Sequence, residues 1–415
     1  MADLGFDVVG LDVDEAKVAA LAAGRLPFFE PGLPELLRKN LDTGRLRFTS
    51  SYDDLAGVDV HFVCVGTPQQ EGGNAADLTH VDEAFRALLR VARPGALLVG
   101  KSTVPAGTAE RLDEQVRAAG RDLELAWNPE FLREGFGIED TLTPDRLVFG
   151  VRSAAAEQRL REVYAGVIAV PTPVVVTDFA TAQLVKVAAN AFLATKISFI
   201  NAMAEVCEAT GGDVTELSRA LSYDPRIGGR FLQAGLGFGG GCLPKDIRGF
   251  MARADELGVD SAVRFLREVD AINLRRRSRT VEITREVLGG SFAGTRVAVL
   301  GAAFKPDSDD VRDSPALDVA AAVQRAGAEV VVYDPEALES ARAKQPQLGY
   351  ASSALDAARG ADVVLHLTEW PEFRQLDPAV LSAVVARRQV VDGRNALDRE
   401  VWRAAGWTYR ALGRP

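Results

Sequence analysis

Three cysteines and three histidines are spread over 415 residues, too few and too scattered for a disulfide framework or a ligand-spaced metal cluster. Cys64, Cys207 and Cys242 are far apart and odd in number, which fits a reducing compartment. An excess of basic charge is also missing: 48 Lys and Arg face 58 Asp and Glu, a net charge of −10. That balance argues against nucleic acid as the main partner, and "LRRRSR" at 274–279 reads as a solvated helix face. No uninterrupted apolar run reaches bilayer-spanning length, and "MADLGFDVVG" lacks the basic start and small-residue cleavage site of a secretory signal. The expectation is a cytoplasmic protein with no membrane partner.

What is present is an ordinary globular composition, 47% hydrophobic and 26% charged, in a chain long enough for two or three domains. The runs "FDVVGLDVD", "VDVHFVCVGTP", "GALLVGKSTVP" and "LELAWNPEF" are each a strand that ends in a polar or glycine-containing loop. Alternation of such runs with helical segments predicts a parallel sheet with crossover helices, whose ligands bind at the carboxyl ends of the strands. From Phe179 to about Thr210 the pattern is helical, with Leu184, Val187, Ala191, Phe192 and Thr195 read as one apolar stripe. A second proline-free helix runs through "SAVRFLREVDAINLRRRSRTVEITREVLGG" to a Gly-Gly stop. New strands at "TRVAVLG", "EVVVYDP", "ADVVLHL" and "RQVVDG" predict a second α/β unit. The fold class is therefore α/β, with two Rossmann-like parallel-sheet domains joined by a long central helix. The predicted divisions are 1–178, 179–290 and 291–415.

In a dinucleotide-binding fold an acidic residue ends the second strand, about 20 residues after a glycine-rich turn. Asp12, closing "VVGLD", suits that role, yet counting back from it runs off the chain. Met1–Leu4 resembles the last turn of a helix with Gly5 as its terminator. The first strand and its glycine loop are thus expected to be missing from this chain, with a start further upstream as the explanation. A simple strand-end turn role for Asp12 is the alternative.

The segment "GFGGGCLPKD" at 237–246 concentrates chemistry. Cys242 precedes Pro244, a favoured early helical residue, so its sulfur stands near a helix N-terminus where partial positive charge favours thiolate. Lys245 adds positive charge, and Asp246 lies one turn on. Gly237, Gly239, Gly240 and Gly241 would let a ligand approach closely. The competing reading is a small buried cysteine in a flexible turn; Cys64, inside "HFVCVGTP", and Cys207, inside "AMAEVCEAT", are read as small buried residues. Lys186 and Asn190, four apart in "KVAANAFLA", share a helix face and can donate to an oxygen that develops negative charge.

These segments, with "NPEFLREG" at 128–135, "DPRIG" at 224–228, "GAAFKPDSDDVRDSP" at 301–315 and "DGRN" at 392–395, resemble the UDP-glucose 6-dehydrogenase family across essentially the whole chain. The resemblance implies an NAD-dependent oxidoreductase that takes a sugar C6 alcohol through the aldehyde to the acid, UDP-glucose to UDP-glucuronate. It implies Cys242 as nucleophile, forming a thiohemiacetal and then a thioester. Lys186 and Asn190 would stabilise oxyanions, Asp246 would act as base through water, and Glu130 and Thr103 would position or activate water. Glu130 could instead cap the following helix.

By the same resemblance Asp12, Lys17, Thr67, Thr103, Glu134, Lys245 and Arg312 match positions near NAD. Glu130, Phe131, Leu132, Lys186, Asn190, Arg226, Phe231, Gly239, Lys305 and Arg394 match substrate-contacting positions. Arg226 often reaches a neighbouring subunit's site in this family, which implies a homodimer. No metal is implied. Three alternatives stay open: a dehydrogenase acting on GDP-mannose or UDP-N-acetylmannosamine, a hydroxyacid dehydrogenase that transfers one hydride, and a noncatalytic nucleotide-sugar-binding protein. UDP-glucuronate would serve polysaccharide biosynthesis.

Overall fold

Strands Val8–Leu11 (β1) and Leu46–Thr49 (β2) pair in parallel as a sheet of two in the computed structural model, which describes residues Met1–Pro415. Val60–Val63 (β3), Ala96–Gly100 (β4), Leu123–Trp127 (β5), Leu147–Val151 (β6) and Val174–Thr177 (β7) form a separate five-stranded sheet in chain order. All its pairings are parallel except β5 with β6, which run antiparallel. Both sheets belong to a first compact unit, Met1–Ala189 with Arg248–Asp260.

Strand β4, paired on both sides, is buried at every residue, the pattern of a strand covered on both faces. Helix Thr79–Val91 lays Val81, Ala84, Phe85 and Leu88 on the core, an i, i+3, i+4, i+7 stripe. The Trp127 ring stacks on Phe85 at 6.5 Å and lies over Gly100, where a Cβ would come within 2.2 Å of the indole. Loss of the Trp127 side chain would cost about 3–5 kcal/mol through the cavity it leaves.

β1 and β3 each have a partner on one side only. Their unpaired edges line one cavity of about 1740 Å³, with Val8, Val9 and Leu11 on one wall and Val60, Phe62 and Val63 on the other. In the doubly wound strand order this position belongs to the first strand of the sheet. The break between the two sheets thus falls where the sequence predicts an absent strand. Ala2–Leu4 forms a 3₁₀ turn that Gly5 ends at φ 98°, in the left-handed region.

The second unit, Asn190–Ile247 with Ser261–Pro415, holds six parallel strands. Arg296–Leu300 (β8), Glu329–Tyr333 (β9), Gly349–Tyr350 (β10), Val363–His366 (β11), Gln389–Asp392 (β12) and Thr408–Ala411 (β13) lie in the order β10-β9-β8-β11-β12-β13. That is the doubly wound order with its switch point between β8 and β11. Ser314 caps helix Pro315–Arg325 by accepting from the Leu317 amide, with proline at the favoured first position. The predicted Gly-Gly stop is present: helix Phe265–Val287 ends before Gly289 and Gly290, at φ 86° and 103°.

Helix Phe179–Thr210 is unbroken, and the boundary between the two units falls within it, between Ala189 and Asn190. Its expected stripe is not the buried face. Val187 and Ala191 are buried, but Leu184 and Phe192 are 40% and 67% exposed, as are Phe199 and Val206 at 49% and 51%. Buried instead are Gln183, Lys186, Asn190, Ser198 and Asn201. The helix is apolar nearly all round, so periodicity could not choose the inner face. By length and mean hydropathy it would suffice to cross a bilayer, although this polar row interrupts it.

Candidate active site

The candidate residues Thr67, Thr103 and Glu130 of the first unit lie on loops at strand ends. Ser102, after β4, donates to the Val65 carbonyl at 2.7 Å, and Thr67, after β3, donates to the Thr103 carbonyl at 2.8 Å. These bonds fix the loops of Thr67 and Thr103 side by side. After β5 the chain turns through Asn128, whose buried amide accepts from Lys101 and Tyr164 and donates to the Val148 carbonyl. Glu130 follows. Lys186 Nζ lies 3.0 Å from its Oε1, and the Leu132 amide donates to its Oε2 at 2.6 Å.

Lys186 is 5% exposed and its ammonium stands 5.5 Å from the Phe131 ring centroid. A buried ammonium needs such partners. Glu130 does accept a backbone amide, but no helix follows until Gly137–Leu142, so it is not that helix's cap. Glu30, which sequence reasoning missed, holds this loop from 105 residues away: its carboxylate accepts from the Gly135 and Gly137 amides, each at 2.7 Å. Glu134 and the exposed Leu132 lie on the same loop.

Asp12 ends β1 as predicted. Its Oδ2 is 2.5 Å from Lys17 Nζ and its Oδ1 accepts from the Asp14 amide. Burial opposes its ionisation, but the Lys17 ammonium and that amide outweigh burial and hold the carboxyl below its ordinary range. Asp14 caps the helix Glu15–Ala22 that carries Lys17. Asp12 thus fits the ribose of a dinucleotide, and Thr67 and Thr103 sit on strand-end loops suited to its other half. The turn after β1 reads Asp12-Val13-Asp14, and no strand-to-helix turn of this unit carries the glycine pattern that cradles a pyrophosphate.

In the second unit Cys242 is exposed and stands directly before helix Leu243–Glu256, with its carbonyl accepting from the Asp246 amide at 2.9 Å. Asp246, 5% exposed, has Asn190 Nδ2 at 2.6 Å from Oδ2 and Lys245 Nζ at 2.5 Å from Oδ1. Asn190 is itself buried, one turn along the continuous helix from Lys186. The carboxylate one helical turn after Cys242 is therefore held in place by an amide and an ammonium.

The glycines before Cys242 serve a purpose other than the one predicted. Gly239 is buried, and a Cβ there would lie 2.2 Å from the Asp313 carbonyl oxygen; at Gly241 it would lie 2.4 Å from the Arg312 guanidinium. The protein itself fills the space left open by the missing side chains. Ala234–Gly240 is buried throughout, which rules out a flexible turn. Arg312 also pairs with Asp310 at 2.8 Å.

Lys305 Nζ is 5.7 Å from the Phe304 ring centroid. Arg394 donates to the carbonyls of Leu367, Gly237 and Phe304 at 2.8–3.1 Å, so its guanidinium ties three loops together. Arg226 is 88% exposed in its side chain and paired with Asp224 at 2.6 Å. Phe231, at φ 64° and 40% exposed, lies in the same connection between helices. Lys196 braces that connection by donating to the Ile227 and Gly228 carbonyls.

The NAD-binding domain model of the UDP-glucose/GDP-mannose dehydrogenase family matches residues 1–168, its central domain 180–275 and its UDP-binding domain 298–399. A UDP-glucose 6-dehydrogenase of Rhizobium meliloti is 42% identical over all of this chain and 95% of its own length. A UDP-glucose dehydrogenase structure from Pyrobaculum islandicum superimposes with a TM-score of 0.90 at 38% identity, over 99% of this chain and 93% of that one. A UDP-D-ManNAc dehydrogenase structure from Pyrococcus horikoshii gives 0.85 at 27% identity, over 100% and 95%. The chain is a member of the UDP-glucose/GDP-mannose dehydrogenase family of NAD-dependent oxidoreductases.

Proposed function

We propose that this chain oxidises the C6 hydroxyl of UDP-glucose to the carboxylate of UDP-glucuronate, with Cys242 holding the carbon between the two oxidations. The carrying observation is the buried Asn190–Asp246 pair, joined by the half-buried Lys245, with Asp246 one turn beyond an exposed thiol. NAD, when bound, accepts the hydride in each oxidation.

Asp246 takes the hydroxyl proton through a water, while Lys186 and Asn190 donate to the oxygen as charge develops on it. The Cys242 thiolate adds to the aldehyde carbon, because a thiohemiacetal can give up a hydride where a bare aldehyde cannot. Loss of that hydride leaves a thioester. Glu130 orients water for its hydrolysis, which frees the acid and restores the thiol. Lys305 supplies positive charge for the diphosphate, and Arg394 fixes the loops around it.

The test is the yield of NADH per UDP-glucose. Two supports the reading, and one refutes the two-step course. GDP-mannose and UDP-N-acetylmannosamine, run in parallel, decide among the nucleotide sugars. A chain that binds UDP-glucose yet forms no NADH would be the noncatalytic binder.

We further propose a homodimer of this cytoplasmic enzyme. Phe192, Phe199 and Val206 repeat every seven residues on the outer face of the long helix, and Tyr223 is 77% exposed. Such a row of large apolar side chains suits a second copy. Phe199→Asp is expected to turn a dimer into a monomer by light scattering; an unchanged mass would remove the helix face from the interface. In this dimer Arg226 would serve the partner's site.

A further inference from the structure

The segment that leads into Cys242 has no regular secondary structure, yet its backbone groups are taken one by one. The Gly235 amide donates to Asn201 Oδ1 at 2.9 Å and the Leu236 amide to the Gly393 carbonyl at 2.9 Å. Arg394 donates to the Gly237 carbonyl at 3.1 Å, and the Gly240 amide donates to the Arg312 carbonyl at 2.9 Å. The most specific contact falls on Phe238. Its amide donates to Asn273 Oδ1 at 2.7 Å, and its carbonyl accepts from Asn273 Nδ2 at 3.0 Å. One side-chain amide thereby makes the pair of bonds that a neighbouring strand would make.

Asn273 is fully buried on helix Phe265–Val287. A buried primary amide is tolerated only where its hydrogen bonds are made, so the site has been shaped around this pairing. Gly237 completes the fit. Its φ is +100°, and a Cβ there would lie 2.5 Å from Asn273 Oδ1. Arg277, one turn further along the helix, reinforces the pairing by donating to the same Phe238 carbonyl at 3.2 Å.

We infer that Asn273 is a positioning residue for Cys242: by pinning both backbone groups of Phe238, four residues upstream, it sets where the chain enters the helix that bears the thiol. This rests on the reading of Cys242 as nucleophile. The pairing acts through the backbone, so its loss displaces the sulfur without removing any side chain assigned to the nucleotide sugar. A displacement of about 1 Å at a reacting atom costs about 100-fold in rate.

Two variants of the full chain test this, Asn273→Ala from the helix side and Gly237→Ala from the loop side. Each is checked for folding by circular dichroism, then assayed for iodoacetamide alkylation of Cys242 by peptide mass spectrometry and for steady-state turnover. Both are expected to fold, to alkylate Cys242 at least tenfold more slowly, and to lose about 100-fold in kcat with KM for UDP-glucose within threefold. Folded variants with wild-type alkylation and kcat overturn the inference, and so does failure of both to fold, which would make Asn273 a stability element. A wild-type Cys242 that alkylates no faster than Cys64, or an active Cys242→Ala chain, would instead sink the nucleophile reading itself.

Discussion

Asn190 and Asp246, 56 residues apart, meet through a buried 2.6 Å hydrogen bond, with Lys245 on the carboxylate's other oxygen. The amide and ammonium fix the orientation of this carboxyl group one turn from the thiol, where the proposed reaction needs a base. Asp246→Asn keeps the shape and removes the acceptor. It is expected to lower kcat by about 10²–10⁴ with little change in KM, as loss of a general base does. A loss under tenfold in NADH formation would remove Asp246 from the chemistry.

Glu130 faces Lys186 at 3.0 Å, in a loop that Glu30 anchors. Glu130→Gln should slow thioester hydrolysis more than either hydride step. The expected trace is a burst of two NADH per subunit followed by turnover about 10²–10³-fold slower, with an acyl adduct on Cys242 seen by intact mass. A linear trace without adduct would falsify the assignment of Glu130 to hydrolysis.

Asp392 is completely buried at the end of β12, where it accepts from Tyr409 and from the Arg394 and Leu397 amides and pairs with His366 Nδ1 at 2.8 Å. Burial alone would raise its pKa, but the His366 ring and these donors bring it below the ordinary carboxylate value. A folded-state pKa below the unfolded one stabilises the protein above the unfolded value of about 3.9, and the contribution is lost as pH falls through the folded value. Asp392→Asn should therefore lower Tm at pH 7 and flatten its fall below about pH 4. Parallel acid profiles of the two proteins would contradict this.

The cavity between β1 and β3 is lined by two strand edges that have no partner on that side. An engineered N-terminal extension, comprising an apolar strand, a glycine-rich turn and a helix, is expected to raise Tm by about 5 °C or more and to bring tight NAD binding by calorimetry. A proline in the added strand should abolish both gains. In the extended protein Asp12→Ala should weaken NAD binding and narrow the preference over the 2′-phosphorylated form. An extension that leaves Tm and NAD affinity unchanged would rule out strand insertion at this position.

The second sheet was the most legible part of the fold, because buried parallel strands such as β8 and β11 read as continuous apolar runs. The direction of β6 was not legible, since "LVFGV" pairs equally well either way until its neighbours are known. Cys242, Lys186 and Asn190 carried local signals of spacing and context. Glu30 and Asn273 carried none, because each acts on a backbone distant in sequence, and an isolated Glu or Asn looks the same wherever it folds. The glycines were visible but misread: their closeness is to Asp313 and Arg312, partners that no local pattern reveals.

The unpaired edges of β1 and β3 also affect how the backbone exchanges protons with water. Amides in the middle of a sheet are ordinarily among the slowest in a protein to take up deuterium, because only global opening frees them. In β3 the amides directed away from β4 face the cavity, so half of this edge strand should label as quickly as a surface loop while the other half stays protected. A fast and a slow set alternating along four residues would be the isotopic signature of a sheet with a gap in its middle.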